Sequence, residues 1–109
     1  MSIGTHVLDT TAGRPATGLA VHLERRDDDG GWAPVGTCDT DGDGRARFDG
    51  AEGAGVFRLS FLTGAWFAAR GTRAFHPEVS VVFAVAAADG HTHVPLLLSP
   101  FAYSTYRGS

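Results

Sequence analysis

The sequence predicts an all-β sandwich that carries one short helix. Short alternations of apolar and polar residues recur about every ten residues, which is typical of the strands of sandwiches and barrels. Clusters of Gly, Asp and Pro separate these runs and favour turns; they lie at positions 12–15, 29–31, 41–44 and 89–90. Eight strands with a single short helix favour two stacked sheets.

The predicted strands are the short apolar runs between those turns. In chain order they span residues 3–9, 19–26, 32–38, 45–48, 56–61, 78–84, 92–98 and 101–106. The helix is predicted over residues 63–69, where TGAWFAA opens with Thr63 as a cap and continues with good helix formers. A length of 109 residues is that of one domain, so residues 1–109 are assigned to a single domain.

Composition argues against several classes of protein. The chain is 43% hydrophobic and 19% charged, which is typical of a globular protein. A net charge of −3 without a basic stripe argues against a nucleic-acid partner. No segment approaches the roughly 20 apolar residues that span a membrane, and the N-terminus lacks a secretion signal. Together with a single cysteine, Cys38, these features predict a soluble, cytoplasmic protein without a disulfide.

Side-chain alternation assigns faces to the first and seventh strands, because successive side chains of a strand point to opposite sides. The residues predicted to face the core are Ile3, Thr5, Val7, Thr92, Val94, Leu96 and Leu98. Those predicted to face outward are Gly4, His6, Leu8, His91, His93, Pro95 and Leu97. An apolar outer face that carries a few polar groups is typical of a subunit interface or a ligand cleft.

Five histidines are many for this length, and three of them fall on that outer face. His22 and His76 are interpreted as a solvated strand residue and a turn residue. The spacing of His91 and His93 also matches the way zinc hydrolases offer two imidazoles to one metal, with His6 as a third ligand. No carboxylate or thiol strengthens that set, so a metal site is not the favoured interpretation.

A second metal hypothesis concerns DTDGDG at 39–44, which resembles the start of a calcium loop. Its twelfth position, which should be a Glu, is Gly50, and no helices flank it, so a hairpin turn is the better interpretation. All nine cationic side chains are arginines, whose planar fork suits flat, oxygen-rich ligands. Arg45 follows the turn directly, but Arg47 shares its parity, and spacing alone leaves the choice open. Ser104 has no GxSxG context that would make it a nucleophile.

The chain closes with YSTYRGS, in which two aromatic residues and an arginine follow an apolar run. Terminal residues usually fray unless contacts hold them in place. A segment this rich in hydrogen-bonding side chains is therefore predicted to be docked into a site.

These residues together resemble the transthyretin-like 5-hydroxyisourate hydrolases from end to end. The resemblance rests on THVLDTTAGRPA, DGDGR, AFHPEVSVVF and HTHVPLLLSPFAYSTYRGS. The histidines and the terminal YRGS separate the hydrolases from the hormone-carrying transthyretins, which share the fold. The resemblance implies a transthyretin-like β-sandwich of two four-stranded sheets with one short helix. It also implies a homotetramer, built as a dimer of dimers with active sites at the dimer–dimer interface.

The resemblance also implies roles for individual residues. The family's catalytic residues fall on His6, Arg45 and His93, and its substrate-binding tail falls on Ser104, Tyr106, Arg107, Gly108 and Ser109. His91 is implied to be a residue at the rim of the site.

The implied reaction is hydrolytic opening of 5-hydroxyisourate, the product of urate oxidation, to 2-oxo-4-hydroxy-4-carboxy-5-ureidoimidazoline, without metal or cofactor. His6 and His93 are expected to position and activate water, and Arg45 to bind the substrate and stabilise the oxyanion. Covalent attack by Ser104 is disfavoured because it has no evident base and acid partner. The alternative is a transthyretin-like carrier that binds a small aromatic ligand without chemistry.

Overall fold

The computed structural model describes residues 2–50 and 53–109. Within these ranges nine strands form two sheets, and one helix follows the sixth strand. The elements are β1 (Ser2–Asp9), β2 (Arg14–Pro15), β3 (Ala20–Arg26), β4 (Trp32–Asp39), β5 (Arg45–Asp49), β6 (Gly55–Phe61), α1 (Thr63–Ala68), β7 (Val79–Val85), β8 (His91–Leu98) and β9 (Tyr103–Thr105).

The first sheet has β1 at its centre. β1 pairs antiparallel with β2 and β5 along one edge and parallel with β8 along the other, and β9 pairs antiparallel with β8. The second sheet has the order β4-β3-β6-β7 and is antiparallel throughout. The predicted architecture of two sheets and one short helix is confirmed. The short β2, which the sequence placed in a turn, makes the first sheet five-stranded.

The core lies between the two sheets, and both predicted inward faces are confirmed. The buried residues of β1 and β8 include Ile3, Thr5, Val7, Thr92, Val94, Leu96 and Leu98. β6 contributes Phe57 and Phe61, which are fully buried. Burial of one such side chain contributes about 1.5–3 kcal/mol relative to exposure. The sheet that presents the outward histidines is therefore fixed on its inner side by a continuous apolar layer.

The helix begins differently from the prediction, because Thr63 is not its cap. Leu62 occupies the cap position and makes no side-chain cap bond. β6 ends at Phe61, directly before the helix, so Thr63 falls in the first turn, where its side chain is buried in the core. α1 ends at Ala68, one residue earlier than predicted. No helix among the described residues is long and apolar enough to cross a membrane.

The predicted strand over 101–106 is shorter in the structure. Residues 99–102 form a tight turn in which the backbone N–H and the hydroxyl of Ser99 both donate to the carbonyl of Ala102, at 2.9 and 3.1 Å. Phe101 is consequently 64% exposed and lies outside β9. β9 therefore begins at Tyr103, where pairing with β8 becomes geometrically available.

Candidate active site

The strand order brings three of the predicted site residues to one face of the first sheet. His6 of β1 is opposite Arg45 of β5 and opposite Pro95 of β8. His93 is opposite Gly4, one outward position away from His6 along β1. Side chains directly opposite each other have Cβ atoms about 4.5–5.5 Å apart, and diagonal neighbours about 7–8 Å. Two imidazoles and one guanidinium are thus neighbours on the outer face.

A tight turn fixes the start of β5 and hence the position of Arg45. The carboxylate of Asp41 accepts hydrogen bonds from the backbone N–H of Asp43 at 2.9 Å and of Arg45 at 3.0 Å. The N–H of Asp41 donates to the carbonyl of Arg45 at 2.8 Å. The backbone N–H groups of Arg45 and Asp43 hold the pKa of Asp41 below its ordinary value, because they stabilise the carboxylate. The segment is the hairpin turn that the sequence predicted.

The surroundings of the two arginines on β5 distinguish them. The Arg47 guanidinium donates to the Asp49 carboxylate at 3.0 Å, so it already has a partner on its own strand. Within the described ranges, the Arg45 guanidinium makes no hydrogen bond or salt bridge. Arg45 is exposed and adjacent to His6, so its fork is available to a ligand.

The electrostatic surroundings of His93 favour its neutral form. Partial burial lowers the pKa of His93, and the positive charges of Arg45, His91 and His6 lower it further. A neutral imidazole can accept a proton from an attacking water. Among the groups on this face, His93 is therefore the one best suited to act as a base.

The tail after β9 runs beside β8 and reaches His93. The Thr105 hydroxyl donates to the carbonyl of Pro95 at 2.7 Å, and the Gly108 N–H donates to the carbonyl of His93 at 2.8 Å. Between them Arg107 donates to the carboxylate of Asp89 at 3.3 Å. A Cβ on Gly108 would lie 2.4 Å from Cδ2 of His93. The tail thus closes directly against the imidazole, at a point where only glycine fits.

A groove of about 270 Å³ lies beside this contact. It is lined by residues 81–84 of β7, 92–94 of β8 and 105–107 of the tail. Tyr106 and Arg107, two of the predicted binding residues, therefore share a groove with His93. Ser109, also predicted to bind substrate, is exposed.

Ser104 does not join the histidines within one chain. It is opposite Leu97 in the β8–β9 pair, on the same outer face as His93. Leu97 lies four residues from His93, which corresponds to roughly 13 Å at the usual rise of a strand. Ser104 and His93 are therefore too far apart for direct contact within one chain.

The remaining histidines occupy three different environments. Nδ1 of His91 shares a hydrogen bond of 2.6 Å with the Ser2 hydroxyl, and its ring stacks on that of His93 with centroids 6.3 Å apart. His22 lies on β3 of the other sheet, and His76 packs edge-on against Tyr103. In the part of the chain that the structure describes, no three or more His, Cys, Asp or Glu side chains are grouped to hold a metal ion. The zinc set considered from the spacing is not assembled.

Sequence reasoning missed the residues that position the site. Asp41 was assigned only to a turn, and the spaces left by Gly4 and Gly108 were not recognised. For Asp41 the pattern DGDGR carried an indication, since Asp side chains commonly accept from backbone N–H groups two residues on. For the glycines no local pattern exists, because their neighbours come from distant strands.

Comparison with known proteins places the chain in a family. The sequence profile described as the HIUase/Transthyretin family matches residues 3–108. The chain belongs to this family. A relative within it, 5-hydroxyisourate hydrolase 2 of Rhizobium meliloti, is 46% identical and aligns over 96% of this chain and 93% of its own length. The resemblance inferred from the motifs is confirmed.

Solved structures of both branches of the HIUase/Transthyretin family resemble the chain. 5-Hydroxyisourate hydrolase of Klebsiella pneumoniae superposes with a TM-score of 0.87 at 35% identity, over 99% of this chain and 98% of that one. Sea bream transthyretin in complex with thyroxine superposes with a TM-score of 0.91 at 33% identity, over 97% of this chain and 93% of that one. Backbone similarity therefore establishes the fold and does not separate hydrolase from carrier.

Proposed function

We propose that this protein is a hydrolase that opens the ring of 5-hydroxyisourate in urate degradation, in the cytoplasm. The proposal is carried by the joint placement of His6, Arg45 and His93 on one face. It is supported by the full-length similarity to relatives that are named 5-hydroxyisourate hydrolase. The reaction uses water and side chains, with no metal or cofactor.

In this proposal each group has one part in the reaction. His93, neutral at physiological pH, takes the proton of the water that attacks a ring carbonyl, and His6 orients that water. Arg45 binds the flat substrate through paired donors and stabilises the oxyanion as it forms. One well-placed donor typically lowers such a barrier by about 3 kcal/mol. Gly108 and the tail close the site against His93.

Assembly as a homotetramer, a dimer of dimers, is part of the proposal. Among the described residues, the exposed large hydrophobic side chains are Val35, Phe75, Val82, Phe101, Tyr103 and Tyr106. All but Val35 lie on β7, β9 or the segments beside them. Apolar groups gathered in this way are typical of a surface that another molecule covers. A second copy would also bring the substrate contact assigned to Ser104 to the site, whereas Tyr106 and Arg107 already share a groove with His93 of their own chain.

The alternative is a carrier that binds a small ligand without changing it. The similarity to sea bream transthyretin, at a TM-score of 0.91, favours this alternative as far as the backbone is concerned. The guanidinium of Arg45, which has no partner among the residues that the structure describes, and the two imidazoles beside it favour chemistry. Turnover distinguishes the two functions.

The test is an assay in which urate oxidase generates 5-hydroxyisourate in place and its absorbance is followed. We expect the purified protein to accelerate the loss of absorbance well beyond spontaneous decay. Arg45→Ala is expected to lower kcat/KM at least about a hundredfold, because one oxyanion donor is lost. Arg47→Ala, which removes a guanidinium already paired with Asp49, is the matched control and should stay within about threefold.

Two results would contradict the proposal, the first its function and the second its site. Decay at the spontaneous rate in the presence of saturating protein would favour the carrier. Equal losses in the Arg45 and Arg47 variants would mean that the site is elsewhere on the face. Circular dichroism and light scattering on both variants establish that fold and assembly are intact.

A further inference from the structure

His91 is held in a way that an incidental surface residue is not. It is exposed at the start of β8, yet Nδ1 shares a hydrogen bond of 2.6 Å with the hydroxyl of Ser2, which is 5% exposed. The ring lies over Gly4, where a Cβ would come within 3.0 Å of its Cε1 and 3.2 Å of its Nε2. β1 thus provides both the hydroxyl that anchors this imidazole, at Ser2, and the space that its ring occupies, at Gly4.

The orientation produced by these contacts faces His93. The two rings lie with centroids 6.3 Å apart and planes inclined by 25°. On another side of His93, a Cβ on Gly108 would lie 2.4 Å from Cδ2, so the tail passes directly against the ring. His93 is therefore confined between a second imidazole and the backbone of the tail.

We propose that His91 is a positioning residue that holds the His93 ring in its working orientation and disfavours protonation of that ring. The proposal rests on the hydrolase function given above, in which His93 accepts a proton. The positive groups that act on His93 are Arg45 of β5, His91 of β8 and His6 of β1. Arg47 of β5 lies across Gly4 from His93, and Arg107 of the tail lines the same groove. Arg107 is paired with Asp89, and Arg47 with Asp49. His91 is the one among them with its own ring stacked on His93.

The electrostatic effect has a definite sign. The pKa of His93 is lowered first by burial and then by the positive charges of Arg45, His91 and His6, so a positive charge on His91 disfavours a second one on His93. Replacing His91 by an uncharged residue should make protonation of His93 easier. The neutral fraction of His93 then falls at acidic pH, so the acid limb of the plot of kcat/KM against pH shifts to higher pH. At alkaline pH both proteins hold a neutral His93, so their rates converge.

Three variants of the full chain separate charge from structure. His91→Gln removes the charge, His91→Lys keeps a charge without the ring, and Ser2→Ala keeps the ring without its anchor. The control is His22→Gln, the same change on the other sheet. The readouts are kcat/KM against pH and the NMR titration of the His93 ring nitrogens, which does not depend on turnover.

We expect His91→Gln to lower kcat/KM about threefold or more at acidic pH, with little change on the alkaline plateau. The NMR titration of His93 should shift to higher pH in the same variant. Ser2→Ala should shift it in the same direction by less, whereas His91→Lys and His22→Gln should leave it in place.

An unchanged His93 titration in His91→Gln overturns the proposal. An equal shift in His91→Lys overturns the claim that the charge of His91 disfavours protonation of His93, since the effect would then be steric. If the His91→Gln variant does not fold, the NMR titrations of His93 in the Ser2→Ala and His91→Lys variants test the proposal in its place. A wild-type protein without turnover would refute the hydrolase function, while the NMR titrations would still decide whether His91 controls His93.

Discussion

At the scale of single residues, two glycines control how closely groups approach the paired imidazoles. Gly4 leaves room for the ring of His91, and Gly108 lets the tail pass against His93. Neither position has a positive φ, so neither requires glycine for backbone reasons. Both positions favour glycine because a side-chain methyl group would crowd a neighbouring imidazole.

Replacing Gly108 by Ala tests this role directly. The added Cβ would lie 2.4 Å from Cδ2 of His93, so either the ring or the tail must move. We expect kcat/KM to fall at least about tenfold, since small displacements of a catalytic group are costly, while the melting temperature changes little. Gly90→Ala, which places a methyl group in open space, is the control. A Gly108 variant with wild-type kinetics would show that tail closure is irrelevant to turnover.

Residue types in the site were largely identifiable from the sequence, but their partners were not. The outward faces of β1 and β8 followed from alternation, because a strand buried on one side has a period of two. Spacing alone did not choose between Arg45 and Arg47; the family resemblance indicated Arg45, and the structure adds the Arg47–Asp49 salt bridge as a distinguishing fact. Side-chain pairing of this kind depends on rotamers, which the spacing of residues does not encode.

At the scale of elements, the turn before β5 fixes the position of Arg45. Gly44 has φ of 77°, and a Cβ there would lie 2.5 Å from the carbonyl oxygen of Val7. The carbonyl of Gly44 also accepts a hydrogen bond of 2.8 Å from the N–H of Val7. The turn and the β1–β5 pairing therefore depend on the same glycine.

Gly44→Ala is expected to destabilise the protein by at least about 2 kcal/mol, through the positive φ and the close approach to β1. This corresponds to a fall of roughly 8 °C or more in Tm. Gly42→Ala in the same turn meets no atom within 4 Å and has no positive φ, so its Tm should change by only a few degrees. Equal thermal shifts by differential scanning calorimetry in the two variants would contradict this account.

Strand pairing explains where element prediction succeeded and where it did not. The faces of β8 were predicted, but its parallel register with β1 was not, because residues some ninety positions apart carry no local sign of their pairing. The shortening of the last strand has a similar origin. Apolar character continues through Phe101, but the bonds from Ser99 to the carbonyl of Ala102 close a turn there.

At the scale of the whole molecule, the two edges of the second sheet differ in their surroundings. β7 lies beside the tail groove and carries Val82, which is 51% exposed. β4 is the opposite edge and carries Val35, which is 38% exposed. Unpaired edges that carry apolar side chains favour pairing with another chain. We therefore expect copies to meet along the β7 edge.

Introducing a lysine at each of the two edges, in separate variants, tests this expectation. Val82→Lys should lower the mass in solution from about four times the 11.4 kDa of the chain, because a buried lysine at an interface lacks a partner. Turnover should fall with it, since the proposed site needs a second copy for Ser104. Val35→Lys should keep both the assembly and the rate. Light scattering that shows the same mass for both variants would exclude the β7 edge as the interface.

The parallel pairing of β1 with β8 also governs the order in which the molecule can be completed. The bond between Ser2 and His91 joins residues 89 positions apart. The second sheet can assemble from β3, β4, β6 and β7 before β8 has been made, and β1 can pair with β2 and β5, but the other edge of β1 must wait for β8. Folding is slow when a long loop must close before distant residues can make their contacts. During synthesis, this edge of β1 therefore stays unpaired until β8 leaves the ribosome, and this interval is when the nascent chain most needs a chaperone.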